Sequence, residues 1–266
     1  MALVRSYVVL SLLVAALACG GHSPAISPAA VPSGWVSIPG PQPETEAANC
    51  ANWARDAWSV TLSPDSNALL IQPARYEYAD TVRVEGGTLT SVDRGEFGGE
   101  VYWEPTSGQR QQIAQMNLVA FVPTATKLLG LAGLAHLSIN EGRLVSFDRA
   151  ASGSWSVTAL TDLGAAPQAF TLLRDTILVV ASGALIAVHP PEYSRVLHRN
   201  AVWPYTYAHA VVRDRAGTIY IGMRSAVARL VPDTSGFRED WLVPNACQRR
   251  QKVSDLGECE CRDESE

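Results

Sequence analysis

From position 58 onward the chain alternates short apolar, β-branched runs with clusters of Gly, Pro, Asp and Asn, the pattern of strands joined by turns. The runs fall at 58–62, 69–72, 88–92, 100–103, 118–122, 143–147, 155–160, 177–181, 184–188, 218–222 and 226–231. No stretch of a dozen residues sustains a 3.6-residue period with caps at both ends. The one place for a short helical turn is 49–58, where Ala51, Ala54 and Ala57 share a helical neighbourhood. The fold class is therefore all-β.

The strands repeat. Residues 177–190 align without a gap on 219–232, an offset of 42, down to the closing Pro190 and Pro232. Each copy is an apolar strand, a tight turn and a second strand, which is a hairpin. Looser copies begin near Leu89 and Leu128, giving spacings of about 39, 49 and 42 residues, the interval of a four-stranded propeller blade. The unit 210–222, with its Asp214-Arg215-Ala216-Gly217 turn before a strand that ends in Gly222, resembles the blade motif of bacterial sensor and NHL-type propellers. That resemblance implies a small β-propeller of about four to five four-stranded blades over residues 49–247, and it implies architecture more than function. A β-sandwich also needs many short strands, but it does not call for a gap-free internal repeat at 42 residues.

The N-terminus has a different logic. Arg5 followed by an apolar run from Tyr7 to Ala18, broken only by Ser11, reads as a secretory signal over 1–18. It is too short to span a bilayer as a helix. The end of the run, Ala16-Leu17-Ala18-Cys19-Gly20, resembles the lipobox of bacterial lipoproteins, with Ala16 where that family usually has Leu. The resemblance implies a lipid on Cys19 and a partner in the membrane of the cell envelope. With Gly20 and no Asp after the Cys, it implies the outer membrane in a host that has two. Plain cleavage after Ala18, yielding a secreted or periplasmic soluble protein, is the alternative. Residues 19–48, rich in Gly, Ser, Pro and Ala, read as a tether stiffened by Pro24, Pro28, Pro32, Pro39, Pro41 and Pro43. Residues 248–266 read as a charged tail.

Charge narrows the partners. The formal net charge is −5, and without Arg5 the chain holds 20 basic against 26 acidic residues, with no Lys/Arg stripe. Nucleic acid, which needs a concentrated positive surface, is excluded as a partner. An envelope protein or a small molecule is the expected ligand. Export also sets the redox context of Cys50, Cys247, Cys259 and Cys261, which are expected in disulfides. Cys50 and Cys247 bracket the β-rich region, so a bridge between them would staple its ends, for roughly 4–5 kcal/mol in the chain-entropy account. Four cysteines allow three pairings, and all three stay open. The pair Cys259 and Cys261 makes a poor metal site, and no metal or other cofactor is expected.

Candidate chemistry is sparse. The densest polar cluster is 93–100, where Arg94 could fork onto an anion and Glu96 could act as acid, base or cation ligand, or where the loop's Arg and Glu simply pair with each other. His136 sits in an otherwise apolar strand. His209 follows Tyr205 and Tyr207 just ahead of the innermost strand of the last unit. Both more often serve as hydrogen-bonded structural residues, yet inner strands of a propeller converge on one axis, where two histidines could meet. His189 and His198, in proline-flanked connections, are expected to be solvated. The tryptophans Trp58, Trp103, Trp155, Trp203 and Trp241 fall near unit ends, as packing between blades requires. The chain holds no nucleophile elbow, HExxH, GxGxxG or Walker loop. These observations favour a tethered binding or assembly module. The alternative is a propeller enzyme, such as a lactonase-like hydrolase or a lyase, with Glu96, His136 and His209 around a metal or an acidic substrate.

Overall fold

The computed structural model describes residues 27–75, 79–191, 193–252 and 259–262; the expected signal segment over 1–18 and Cys19 lie outside them. The described chain opens with a strand, β1 (Trp35–Ile38), a helix, α1 (Glu46–Trp53), and a hairpin, β2 (Trp58–Leu62) with β3 (Leu69–Pro73). Four antiparallel meanders follow. The first sheet holds β4 (Thr81–Val84), β5 (Gly87–Asp93), β6 (Gly99–Pro105) and β7 (Gln111–Gln115). The second holds β8 (Leu118–Pro123), β9 (Leu128–His136), β10 (Ile139–Arg149) and β11 (Trp155–Asp162). The third holds β12 (Pro167–Leu173), β13 (Thr176–Ala181), β14 (Ala184–His189) and β15 (Tyr193–Arg199). The fourth holds β16 (Ala210–Arg213), β17 (Ile219–Gly222), β18 (Val227–Asp233) and β19 (Gly236–Pro244), with β1 paired outside β19. A last hairpin joins β20 (Arg249–Lys252) to β21 (Cys259–Arg262).

The apolar runs are continuous because the sheets are buried on both faces. Along β13, Ile177, Val179 and Ala181 pack with Leu129, Leu131 and Leu144 of the second sheet. The alternate residues Leu178 and Val180 pack with Ile219, Ile221 and Ala228 of the fourth. Period-two alternation thus feeds two cores from one strand, and burying each such side chain is worth roughly 1.5–3 kcal/mol. Leu89, Val101 and Trp103 join the first sheet to the second in the same way. Tyr220, Val227 and Leu242 join the fourth to Val60 and Leu69 of the β2–β3 hairpin.

The second, third and fourth meanders each pack through their first strand against the sheet before: β8 on β5, β12 on β9 and β16 on β12, and the hairpin's β2 packs in turn on β16. This is a small β-propeller with four complete blades and a two-stranded hairpin in the fifth position. The four repeat units read from the sequence near Leu89, Leu128, Ile177 and Ile219 fall on the second strands of the four successive blades.

Three expectations are corrected. The proline-rich stretch is not all spacer. Ala29 is buried, its N–H donates to Asp214 Oδ2 (2.9 Å), and its carbonyl accepts from the Tyr220 hydroxyl (3.2 Å). Trp35, Val36 and Ile38 then supply enough strand-forming surface to pair with β19 despite the flanking prolines. The helix begins earlier than expected, because Thr45 caps it, accepting from the Ala48 N–H (3.2 Å). The staple joins different partners: Cys50 bonds Cys259 and Cys247 bonds Cys261. Cys259 and Cys261 lie two apart on one strand and so project to the same face. The tail returns across α1, with the Lys252 N–H donating to Glu46 Oε1 (2.6 Å).

Candidate functional site

In every blade the turn between the second and third strands lies at the same end as a connector to a neighbouring blade. Backbone hydrogen bonds fix this: Met116 N–H to Gly99 O (2.8 Å), Leu163 N–H to Gly142 O (2.9 Å), Ser182 N–H to Ala166 O (2.7 Å) and His209 N–H to Gly222 O (2.8 Å). Arg94, Glu96, His136 and His209 all belong to this end of the ring.

The second blade extends past its inner strand there. Its inner strand starts at Leu118 opposite Ala132, yet β9 and β10 continue pairing from Gly133 with Gly142 up to His136 with Ile139. Four residue pairs at about 3.3 Å each lift the tip by roughly 13 Å. Glycine is required at the base. A Cβ on Gly142 would sit 2.1 Å from the Ala165 carbonyl, and one on Gly133 would sit 2.7 Å from Pro167 Cδ, so the next connector can lie against the hairpin only without side chains.

The raised hairpin is braced on both sides. Adjacent pairs project to opposite faces, so His136 points toward the first blade and Asn140 toward the third. His136 Nε2 lies 2.5 Å from Glu96 Oε2. Asn140 accepts from the Ala166 N–H (2.8 Å) and donates to the Ser182 carbonyl (3.3 Å). The Glu96 loop is itself pinned, since Asn117 Nδ2 donates to Asp93 Oδ1 (2.6 Å) and to the Gly95 carbonyl (2.7 Å).

What this rigid end displays is apolar. Leu137, at the tip, is 94% exposed, Phe97 beside Glu96 is 81% exposed, and Ile139 is nearly half exposed. Trp53, Tyr205 and Tyr207 are also exposed, on the helix and connector at the same end. The Arg224 guanidinium lies 4.6 Å over the Tyr207 ring and donates to the Asn52 carbonyl (2.6 Å).

The structure separates the candidate residues read from the sequence. Arg94 pairs with Glu100 at 2.6 Å and not with Glu96, and that bond raises the guanidinium above its ordinary value. Glu96 and His136 meet. His209 lies on the fourth blade, where burial, and secondarily the Arg224 cation, holds its imidazole below the usual value. Among the described residues no three His, Cys, Asp or Glu side chains gather as metal ligands would, so Glu96, His136 and His209 do not form the shared centre of the enzyme reading.

His198 is not solvated as expected. It lies on β15, and its Nε2 sits 2.7 Å from Glu239 Oε2 on the fourth blade. Glu239 also accepts from Asn200 Nδ2 (2.8 Å), Trp203 Nε1 (3.1 Å) and Trp241 Nε1 (2.7 Å). Burial pushes the Glu239 carboxyl up, but these four hydrogen bonds outweigh it and leave the group below the usual carboxylate value. An acid amid the apolar alternation of β19 was the available signal for this inter-blade knot. His189 likewise has a partner, with Nδ1 lying 3.1 Å from Thr176 Oγ1.

No protein-family signature matches the chain, and no curated protein matches it. Among solved structures, it is similar to a luciferin-regenerating enzyme at 9% identity, over 76% of this chain and 80% of that one, with a TM-score of 0.40. It is similar to virginiamycin B lyase from Staphylococcus aureus at 9% identity, over 86% and 73%, with a TM-score of 0.36. A Nup133 β-propeller domain from Vanderwaltozyma polyspora aligns at 10% identity, over 70% and 65%, with a TM-score of 0.27. At these scores the propeller assignment rests on the sheet topology above, and no chemistry transfers. No helix among the described residues is long and apolar enough to cross a membrane, and the two disulfides are bonds of an oxidising compartment.

Proposed function

We propose that this chain is an exported propeller that works as a binding module, held at the cell envelope by a lipid on Cys19, and that it engages an envelope protein through the raised end of the second blade. One observation carries the reading: Leu137 is almost fully exposed at the tip of a hairpin that two neighbouring blades hold in place. A freely moving loop can turn an apolar side chain away from water, and a braced one cannot. Holding Leu137, Phe97 and Ile139 in solvent is a standing cost that a partner's apolar surface would remove. Glu96 and His136 form a polar border to that patch, as interface rims do.

The test is affinity isolation from the envelope of cells making the wild type or the Leu137→Asp variant. A discrete protein retained by the wild type and lost with the variant supports the reading. Equal recovery with both contradicts it. Anchoring is tested separately, because Cys19→Ser should move the protein out of the membrane fraction or leave it uncleaved. Unchanged membrane association would refute the lipid attachment.

A further inference from the structure

At the opposite end of the ring, where the second and third blades diverge, the turn after β8, the β12–β13 turn and the Pro190-Pro191 turn enclose a cleft of about 400 Å³. That volume lies within the range of about 300–1,000 Å³ usual for small-molecule sites. Its floor is apolar: Leu129 and Ile177 are buried side chains of the inter-blade core, and Leu172 is 39% exposed on the wall. Two cations, Lys127 and Arg174, stand at the rim, and neither forms an ion pair with any described residue. Arg174 is held there by a left-handed backbone (φ 57°), which a non-glycine residue seldom adopts. Asp175, the one acid at the rim, is not within ion-pairing distance of either cation.

We propose that this cleft is a binding site for an amphipathic anion, a carboxylate carried on a single apolar chain. The apolar tail lies along Leu172, Pro190 and Pro191, over a floor closed by Leu129 and Ile177, and leaves water there. The carboxylate remains at the mouth between Lys127 and Arg174. In a chain with net charge −5, two cations without acidic partners beside an apolar floor favour this ligand over a cation or a neutral polar molecule. The site is independent of the apolar hairpin end, since it lies at the other end of the ring and shares no residue with it.

The probe is decanoate, titrated calorimetrically into the purified disulfide-bonded protein, with decanol and acetate as neutral and tailless controls. Decanoate should bind with a Kd below about 1 mM, and decanol and acetate should bind at least about ten-fold more weakly, one decade being about 1.4 kcal/mol. Lys127→Gln and Arg174→Asn should each weaken decanoate several-fold, Asn being tolerated at the left-handed position. Leu172→Asp, at a partly exposed wall position, should abolish binding while thermal unfolding stays cooperative. Leu137→Asp should bind as wild type does. Decanol binding as tightly as decanoate, an unchanged Kd in both cation variants, or loss of binding in Leu137→Asp would each overturn the proposal. None of these results bears on whether the hairpin end has a protein partner.

Discussion

The Glu96 carboxylate and the His136 imidazole, on different blades, meet at 2.5 Å and tie the loop of the first blade to the raised hairpin of the second. Both side chains are about two-fifths exposed, so the pair is worth less than about 1 kcal/mol to global stability. Glu96→Gln should therefore leave the urea midpoint nearly unchanged. Its effect should be local, as faster amide hydrogen exchange over residues 133–142 by mass spectrometry. A large drop in global stability with no local change would show that the bond does not serve as a brace.

The inter-blade knot should behave in the opposite way. Glu239 gathers four donors in a mostly buried site, and Glu239→Ala would strand them. A loss of about 2–4 kcal/mol is expected in urea unfolding. His198→Ala removes only one of the four and should cost less.

Acid should weaken the fold in two stages. The His209 imidazole is held below its ordinary value, so as pH falls below about 6.5 the unfolded chain takes up that proton first, and stability declines until the folded pKa is passed. The Glu239 carboxyl is held below its ordinary value too; its contribution is full above about 4.5 and is lost as pH falls through its folded pKa. Unfolding free energies measured between pH 7 and 3 should show both slopes. His209→Gln should flatten the upper one and leave the lower.

Peptide mapping of the unreduced protein should find Cys50 with Cys259 and Cys247 with Cys261. The first bridge closes a loop of 209 residues and the second a loop of 14. In the chain-entropy account these are worth about 5 and about 3 kcal/mol at most, so removing Cys50 and Cys259 together should destabilise more than removing Cys247 and Cys261. A peptide joining Cys50 to Cys247 would contradict the fold of the tail.

Much of the propeller was legible because its strands are buried on both faces. Continuous apolar runs such as 177–181 survive as a repeat at 42 residues, whereas a half-exposed sheet would have left only alternation. The exposed outer strands β7 and β15 left no such trace. The N-terminal strand escaped because Trp35, Val36 and Ile38 are few among prolines, and an averaged composition hides them. The disulfide pairing depends on where the tail lies, which spacing does not encode. At the candidate site, loop clustering brought Arg94 and Glu96 to notice and a lone imidazole in an apolar run brought His136, but pairing is a matter of register. The height of the hairpin, which positions His136, comes from Gly133 and Gly142 letting a connector pass. Leu137 read as one more strand residue, because nothing in the sequence separates a tip from a core.

The central claim is that the raised hairpin end contacts a protein, and site-specific photo-crosslinking in intact cells tests it most directly. A benzophenone side chain placed at position 137 should yield one discrete crosslinked band upon irradiation. The same group at Ser235, in the turn between β18 and β19 at the other end of the ring, should yield none. Absence of a band at 137, or the same band from both positions, would contradict the account.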